Sequence, residues 1–287
     1  MAQKERIVLT THLCPGDLLC LEQAVSSLHD CYPEKYYTLI DCFFPDLFLD
    51  HPLLKPGNIG QPLEITSARG RAQPLAEVFL EQLEEKLGKP ITLTRSKPQV
   101  YLRNGIKSPL IGIKKGSYVV FNAGFKDDYP VKWWPFYHKV VELLHFPMVQ
   151  TGLRAHQHPR IEQARSLIGF TSLRELGCVV RDAAAVLSGP SLLTHLAHVY
   201  DTPAVVILGG SEPPECYPWA HCFSTIGRLE CCKNGPCWKA RLEKGKDDSP
   251  KLNCAICEYP SVGGYAACQT YITPEEIVEK LDELITK

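Results

Sequence analysis

No apolar run in this 287-residue chain approaches the roughly 18 residues that a helix needs to cross a bilayer, which excludes a membrane-spanning helix. Net charge is missing as well. The 31 Lys and Arg residues against 32 Asp and Glu leave a balance of -1, so nothing drives the chain as a whole toward nucleic acid or an anionic surface. No secretory leader is expected either, since the chain opens Met-Ala-Gln-Lys-Glu-Arg and goes straight into a short strand-like run over 7–11. A reducing, cytoplasmic compartment is therefore expected. What the sequence does have is apolar bulk, 45% hydrophobic residues, enough for one large or two medium domains.

In a chain expected to stay reduced, thirteen cysteines need a role, and six of them (Cys231, Cys232, Cys237, Cys254, Cys257 and Cys268) fall within 38 residues. Buried free thiols are a common fate of cysteine, but they do not cluster in a polar stretch beside Lys239, Arg241, Lys244 and Lys246. Disulfides do not suit the compartment. The spacing fits a thiolate-ligated metal knuckle. One of Cys231/Cys232, then Cys237, one of Cys254/Cys257, and Cys268 would give a tetrahedral four-sulfur site for zinc or iron. Such a closed set leaves no open position, so its expected role is to hold together an insertion over 216–268 that is too poor in apolar residues to fold alone. A stapled protrusion would also offer a contact surface for a homo-oligomer.

Apolar runs ended by Gly, Pro or Asp turns alternate between strand-like and helix-like periods, the pattern of parallel sheets covered by helices. Strands are expected over 7–11, 37–42, 118–123, 148–152, 185–188 and 204–208. Helices are expected over 17–31, 74–87, 135–144, 172–180 and 191–200, with a last one capped by Thr273-Pro274-Glu275-Glu276 and running to about Ile285. The stretch 89–115, rich in Pro, Gly and Lys, reads as an interdomain boundary, giving domains 1–115 and 116–287. Lys107, Lys114 and Lys115 in and beside it read as solvated surface. Two open parallel sheets imply a cleft with ligands at the carboxyl ends of the strands.

The loops that would face this cleft carry the candidate chemistry. After the first strand comes His12-Leu13-Cys14-Pro15-Gly16-Asp17, where Asp17 suits either a helix cap or a general base taking a proton from a hydroxyl. The loop 122–135 contains Gly124, open to close backbone approach, and Lys132, placed before a helix start where it can pair with a diphosphate. Its adjacent Asp127-Asp128 lacks the spaced Asp-x-Asp of a catalytic divalent-cation site, and no metal is expected at the phosphates. Ser191 opens the next helix as a cap or a phosphate donor. His195, one turn in, suits packing or catalysis. Glu212, after the glycine turn Gly209-Gly210, suits a hydrogen bond to a ribose or sugar hydroxyl, or a turn cap.

Pro15-Gly16-Asp17, Lys132-x-Trp134-Pro135, the run from Thr171 to Leu176, His195-Leu196-Ala197 and Gly210-Ser211-Glu212-Pro213 occur in the order seen in family 9 glycosyltransferases, the ADP-heptose:lipopolysaccharide heptosyltransferase group, which the chain resembles along nearly its whole length. The resemblance implies a GT-B fold, two Rossmann-like domains facing a cleft, and inverting transfer from a nucleotide diphosphate sugar without a catalytic metal. It casts Asp17 as the base, Lys132 as the diphosphate partner, and Ser191 with its helix start as the nucleotide contact. ADP-sugars are the donors it favours, with a glycan, protein or lipid-linked sugar as acceptor. The cysteine insertion resembles the iron-binding finger of members that glycosylate bacterial autotransporters. The chain departs from the family where Pro190-Ser191-Leu192 replaces the usual Asp-Thr-Gly, and its N-terminal domain is shorter.

The expected function is thus an inverting glycosyltransferase, with Asp17 as base and Gly16, Gly124, Lys132, Ser191, His195 and Glu212 around the donor. Its competitors are a nucleotide-sugar epimerase, a metal-knuckle protein that binds nucleic acid or protein on a degenerate scaffold, and a transferase acting on a modified DNA base.

Overall fold

In the first segment of the chain the run Ile7-Val8-Leu9 supplies three consecutive buried apolar residues, as a strand covered on both faces must. The computed structural model, which describes residues 5–67, 70–102, 105–124, 129–238 and 265–286, makes this run the middle of β1 (Glu5–Thr10). There follow α1 (Pro15–Cys31), β2 (Tyr36–Asp41), β3 (Leu54–Pro56), β4 (Pro62–Glu64) and α2 (Leu75–Leu87). These strands form a four-stranded sheet of order β3-β2-β1-β4, parallel throughout.

The second sheet restarts at β5 (Val119–Asn122) and continues with α3 (Tyr137–Leu143), β6 (Met148–Gln150), β7 (Arg165–Ser166), α4 (Leu173–Arg181), β8 (Ala185–Ser188), α5 (Leu192–Tyr200), β9 (Ala204–Gly209) and β10 (His221–Ser224). Its order is β10-β9-β8-β5-β6-β7, again parallel. The chain ends in α6 (Ala267–Thr270) and α7 (Pro274–Ile285). In each sheet the first strand lies inside, with later strands added on both sides, so a topological switch point flanks β1 and another lies between β5 and β8.

The strands that the sequence does not announce, β3, β4, β7 and β10, have two to four residues each, too few to show a period of two. All four are edges, which is where Pro56 and Pro62 are tolerated. Two expected boundaries move. The helix foreseen from 135 starts at Tyr137 because Trp134 turns inward, fully buried, and donates Nε1–H to the Ile272 carbonyl at 2.9 Å. The strand foreseen to 152 stops at Gln150, and Gly152 turns away at φ 149°.

The helix α1 departs furthest from the amphipathic surface helix its apolar spacing suggests, since thirteen of its 17 residues are buried, among them Glu22, Gln23, Ser26 and Ser27. Its polar face is covered by the irregular segment after α2. Glu22 is the fixed point of that cover: its carboxylate accepts from Ser26 Oγ at 2.6 Å, the Gln99 amide at 2.6 Å and His51 Nε2 at 2.8 Å. His51 Nδ1 in turn accepts the Leu53 and Leu54 amides at 3.1 and 2.9 Å, which puts its proton on Nε2, facing Glu22. Gln23 and Ser27 bind the same segment at Arg95 O, Thr94 N and Arg95 N. The opposite, apolar face of α1 (Leu18, Leu21, Val25) joins Leu193, Leu196 and Ala197 of α5 in one core that spans both sheets.

Removing a carboxylate that satisfies three buried donors leaves all three without a partner, and the expected cost of Glu22→Ala is about 3–5 kcal/mol of folding stability. Glu22→Gln, which keeps an acceptor oxygen, should cost less. Urea unfolding of the two variants checks the order; equal and small losses would show that the cover of α1 does not depend on this group.

Candidate functional site

Parallel strands put the loops after β1, β5, β8 and β9 at the carboxyl ends of their sheets, and the packing of α1 on α5 brings those ends together. Gly16 makes the approach possible. A Cβ built on it would lie 2.7 Å from His195 Cδ2 and 3.5 Å from the Leu192 Cα, so only glycine lets the start of α1 touch the first turn of α5. One turn on, Cys20 Sγ meets His195 Nδ1 at 3.4 Å, both groups buried.

Beside this contact, Asp17 is half-buried in the first turn of α1. Lys132 stands opposite, in a 3-10 turn (Pro130–Lys132) held from several sides. Trp134 anchors the chain after it, and Gln269 Nε2 donates to the Val131 carbonyl at 2.9 Å. Its ammonium pairs with Glu212 Oε1 at 2.5 Å and lies 4.5 Å above the Tyr129 ring. Burial alone would push the Lys132 pKa down; the Glu212 carboxylate reverses this, and with a contribution from Asp17 it holds the pKa above the ordinary lysine value. Lys132 is therefore a cation throughout the neutral range.

Glu212 is buried and saturated, which its loop position did not reveal. Its second oxygen accepts from Tyr217 Oη at 2.6 Å, and burial followed by the neighbouring carboxylate raises the Tyr217 pKa well above that of a free phenol. Tyr217 and Cys20 are site residues that sequence reasoning missed. Pro213-Pro214, which fix the 3-10 turn carrying Tyr217 back toward Glu212, were the one local signal.

Ser191 is the N-cap of α5, yet its hydroxyl does not cap; it bonds to Ser188 Oγ at 2.8 Å. The Gly189 amide is used by Tyr137 Oη at 3.1 Å. His195 is buried, and desolvation, reinforced by His198 and Lys132 against the opposing Glu212, lowers its pKa to about 4. Its imidazole is neutral and sits at the junction of the two sheets.

Gly124 receives a close approach, but from inside the chain: the ring of His158 occupies the space above it. Lys126, Asp127 and Asp128 lie outside the described residues.

Of the cysteines, Cys232 and Cys268 converge on the turn after β9. Cys268 Sγ would be 3.1 Å from a Cβ on Gly209, and Cys232 Sγ 2.9 Å from one on Gly210. The Cys237 amide donates to the Gly210 carbonyl at 3.0 Å. Cys231 is half-buried in the turn Glu230–Cys232. Cys254 and Cys257, like all four residues of the basic run Lys239, Arg241, Lys244 and Lys246, lie outside the described residues. Among the described residues no group of three His, Cys, Asp or Glu side chains is arranged to hold a metal ion, and no helix is long and apolar enough to cross a membrane.

Residues 95–241 match the family model of glycosyltransferase family 9 (heptosyltransferase). The chain is 28% identical over 174 residues to lipooligosaccharide heptosyltransferase 2 of Haemophilus influenzae, a match that covers 55% of this chain and 44% of that protein. It thus spans less than half the length of this relative. Among solved structures, the ADP-heptose lipopolysaccharide heptosyltransferase II of E. coli superposes with a TM-score of 0.62 at 15% identity, over 98% of each chain. The iron-containing dodecameric glycosyltransferase TibC of enterotoxigenic E. coli does so with a TM-score of 0.64 at 16% identity, over 98% of this chain and 76% of that one. At these identities the likeness is one of fold, the two-sheet GT-B type.

The neutral, buried His195 has a consequence for stability. Its folded pKa of about 4 lies below the unfolded value of about 6.5, so between those values the unfolded chain binds more protons. Stability is fully present above about pH 6.5 and is lost as pH falls toward about 4. From about pH 7 to about pH 5 this group should remove about 2 kcal/mol. Urea unfolding at both pH values, compared with His195→Gln, isolates the share due to His195; an unchanged pH dependence in the variant would reassign it.

Proposed function

From the premise that the chain belongs to glycosyltransferase family 9, the heptosyltransferase family, we propose that it transfers a sugar from a nucleoside diphosphate sugar to an acceptor hydroxyl with inversion at the anomeric carbon. The observation that carries this reading is that Asp17 and Lys132 lie within electrostatic reach of each other beside the start of α5, at the carboxyl ends of two parallel sheets. Asp17 takes the proton of the acceptor hydroxyl as its oxygen attacks the anomeric carbon. The bond to the diphosphate breaks on the opposite face, and one displacement inverts the centre. The charge left on the diphosphate is met by Lys132 and by the amino end of α5, groups already in position before the reaction. These supply the stabilisation that a divalent cation supplies elsewhere.

Two relatives bear on the donor. The E. coli enzyme uses ADP-heptose by its description, and TibC has been crystallised with ADP-D-β-D-heptose. An ADP-sugar is the donor proposed here, with a glycan hydroxyl as acceptor.

A structural zinc or iron on thiolates belongs to the same proposal. Cys237, Cys268 and one of Cys231/Cys232 would hold it with one of Cys254/Cys257. The convergence of Cys232 and Cys268 on one turn supports this, as does the iron in TibC. A metal there would staple the segment after β10 to the end of β9, and no catalytic step passes through it.

Two measurements test the reading. Asp17→Asn should lower turnover by at least about 100-fold while ADP still raises the melting temperature as it does for the unmodified chain. A variant that keeps most of its rate would remove Asp17 from the base role. Elemental analysis of purified protein should find about one zinc or iron per chain, lost in Cys268→Ser. Metal-free protein of unchanged melting temperature would end the knuckle assignment.

A further inference from the structure

Gly124 and Gly152 belong to loops that leave adjacent strands, β5 and β6. Between them lies a slot, and the ring of His158 fills it. A Cβ on either glycine would come within 2.2 Å of His158 Cε1, and one on Gly152 also within 3.1 Å of Asn122 Oδ1. Among the described residues the ring is held at one nitrogen only: Nε2 is 3.0 Å from the Leu153 carbonyl, whereas Nδ1 is buried with no hydrogen-bond partner among them. An imidazole that leaves water and gains a single hydrogen bond is held weakly, and burial moves its pKa down, toward the neutral form.

The slot is one strand further from Asp17 than the β5–β8 switch point. The start of α5 touches Gly16 and Lys132 belongs to the β5 loop, so a diphosphate held there has the transferred sugar on the Asp17 side. On that placement its nucleoside would extend the other way, over the ends of β5 and β6. That is the side on which His158 fills the slot.

We propose that His158 is a displaceable occupant of the donor site: its ring takes the slot between Gly124 and Gly152, and the nucleoside end of the donor expels it. The inference rests on the nucleoside diphosphate reading above. Each binding event then includes the cost of moving the ring, and the observed affinity is reduced by the fraction of molecules in which the slot is closed.

Isothermal titration with ADP tests this. His158→Ala empties the slot and should tighten ADP by about tenfold if the ring fills it about nine-tenths of the time. Adding Gly124→Ala to the His158→Ala background restores an obstruction, a methyl group in place of the ring, and should weaken ADP again. Weaker or equal ADP binding in His158→Ala would overturn the proposal, because the ring would then be a ligand contact or a bystander. So would indifference of the double variant, since the nucleoside would not use the slot. If ADP, GDP, UDP and CDP all fail to bind both the parent chain and His158→Ala, the donor reading itself falls, and the proposal with it; binding to the parent with no gain in the variant removes the proposal alone.

Discussion

The contact of Gly16 with His195 is the constraint on which the site depends. One core joins α1 to α5, and the proposed chemistry needs the carboxyl end of β1 to face the start of α5. At that point there is no room for a single extra carbon. Because α1 is buried nearly all round, Asp17 has little freedom to adjust: its helix is fixed on one face by Glu22 and the segment laid across it, on another by the core shared with α5. A side chain at position 16 would have to push the two helices apart, and the same movement would carry Asp17 away from Lys132. On the proposed reading, packing and catalysis are thus one requirement, expressed through a missing Cβ.

The second constraint is electrostatic. Lys132 and Glu212 form an ion pair that is mostly out of water, with side-chain exposures of 24% and 12%. Such pairs seldom add net stability, since desolvating two ions consumes most of what their attraction returns, and apolar replacements of similar volume are often as stable. A reason for keeping the pair has to be sought outside stability. At the switch point of a parallel sheet the useful property is a cation held in place before any anion arrives, and Glu212 keeps Lys132 charged against the burial that would otherwise discharge it.

Much of this arrangement is legible in the sequence because the relevant signals are local. The buried runs of β1, β5, β8 and β9, the left-handed Gly88 that stops α2, and the capping boxes of Ser172 with Glu175 and Thr273 with Glu276 are all patterns a few residues long. Once the strands are known to be parallel, the loops with Lys132 and Ser191 must share one edge of their sheet, and Asp17 must lie at the corresponding edge of the other. What the sequence conceals is pairwise and distant. Cys20 and His195 are 175 residues apart; Glu22 meets Gln99 across 77. The spacing of Leu18, Leu21, Val25 and Leu28 suggests an outward polar face for α1, and nothing local says that another part of the chain will cover it. Glu212 reads as a sugar contact or a turn cap because Lys132, its ion-pair partner, comes from the loop after β5, although Tyr217 lies only five residues on.

Tyr217 acquires a purpose from this charge arrangement. Within the described part of the cluster two carboxyl groups, Asp17 and Glu212, face one cation, Lys132, while His195 is neutral, so there is no surplus of positive charge waiting for a diphosphate. If the transferase reading holds, the donor phosphates must draw Lys132 from Glu212, and a buried carboxylate stripped of its cation would be costly. Tyr217 Oη keeps its 2.6 Å bond to the other oxygen of Glu212 whichever way the ammonium turns. Hydrogen bonds to a charged acceptor are among the stronger ones in proteins, so the phenol offsets part of the loss at the moment Lys132 changes partners. The tyrosine thereby lowers the penalty of exchanging one anion for another on the same lysine, which a site that must bind and release a diphosphate in each cycle requires.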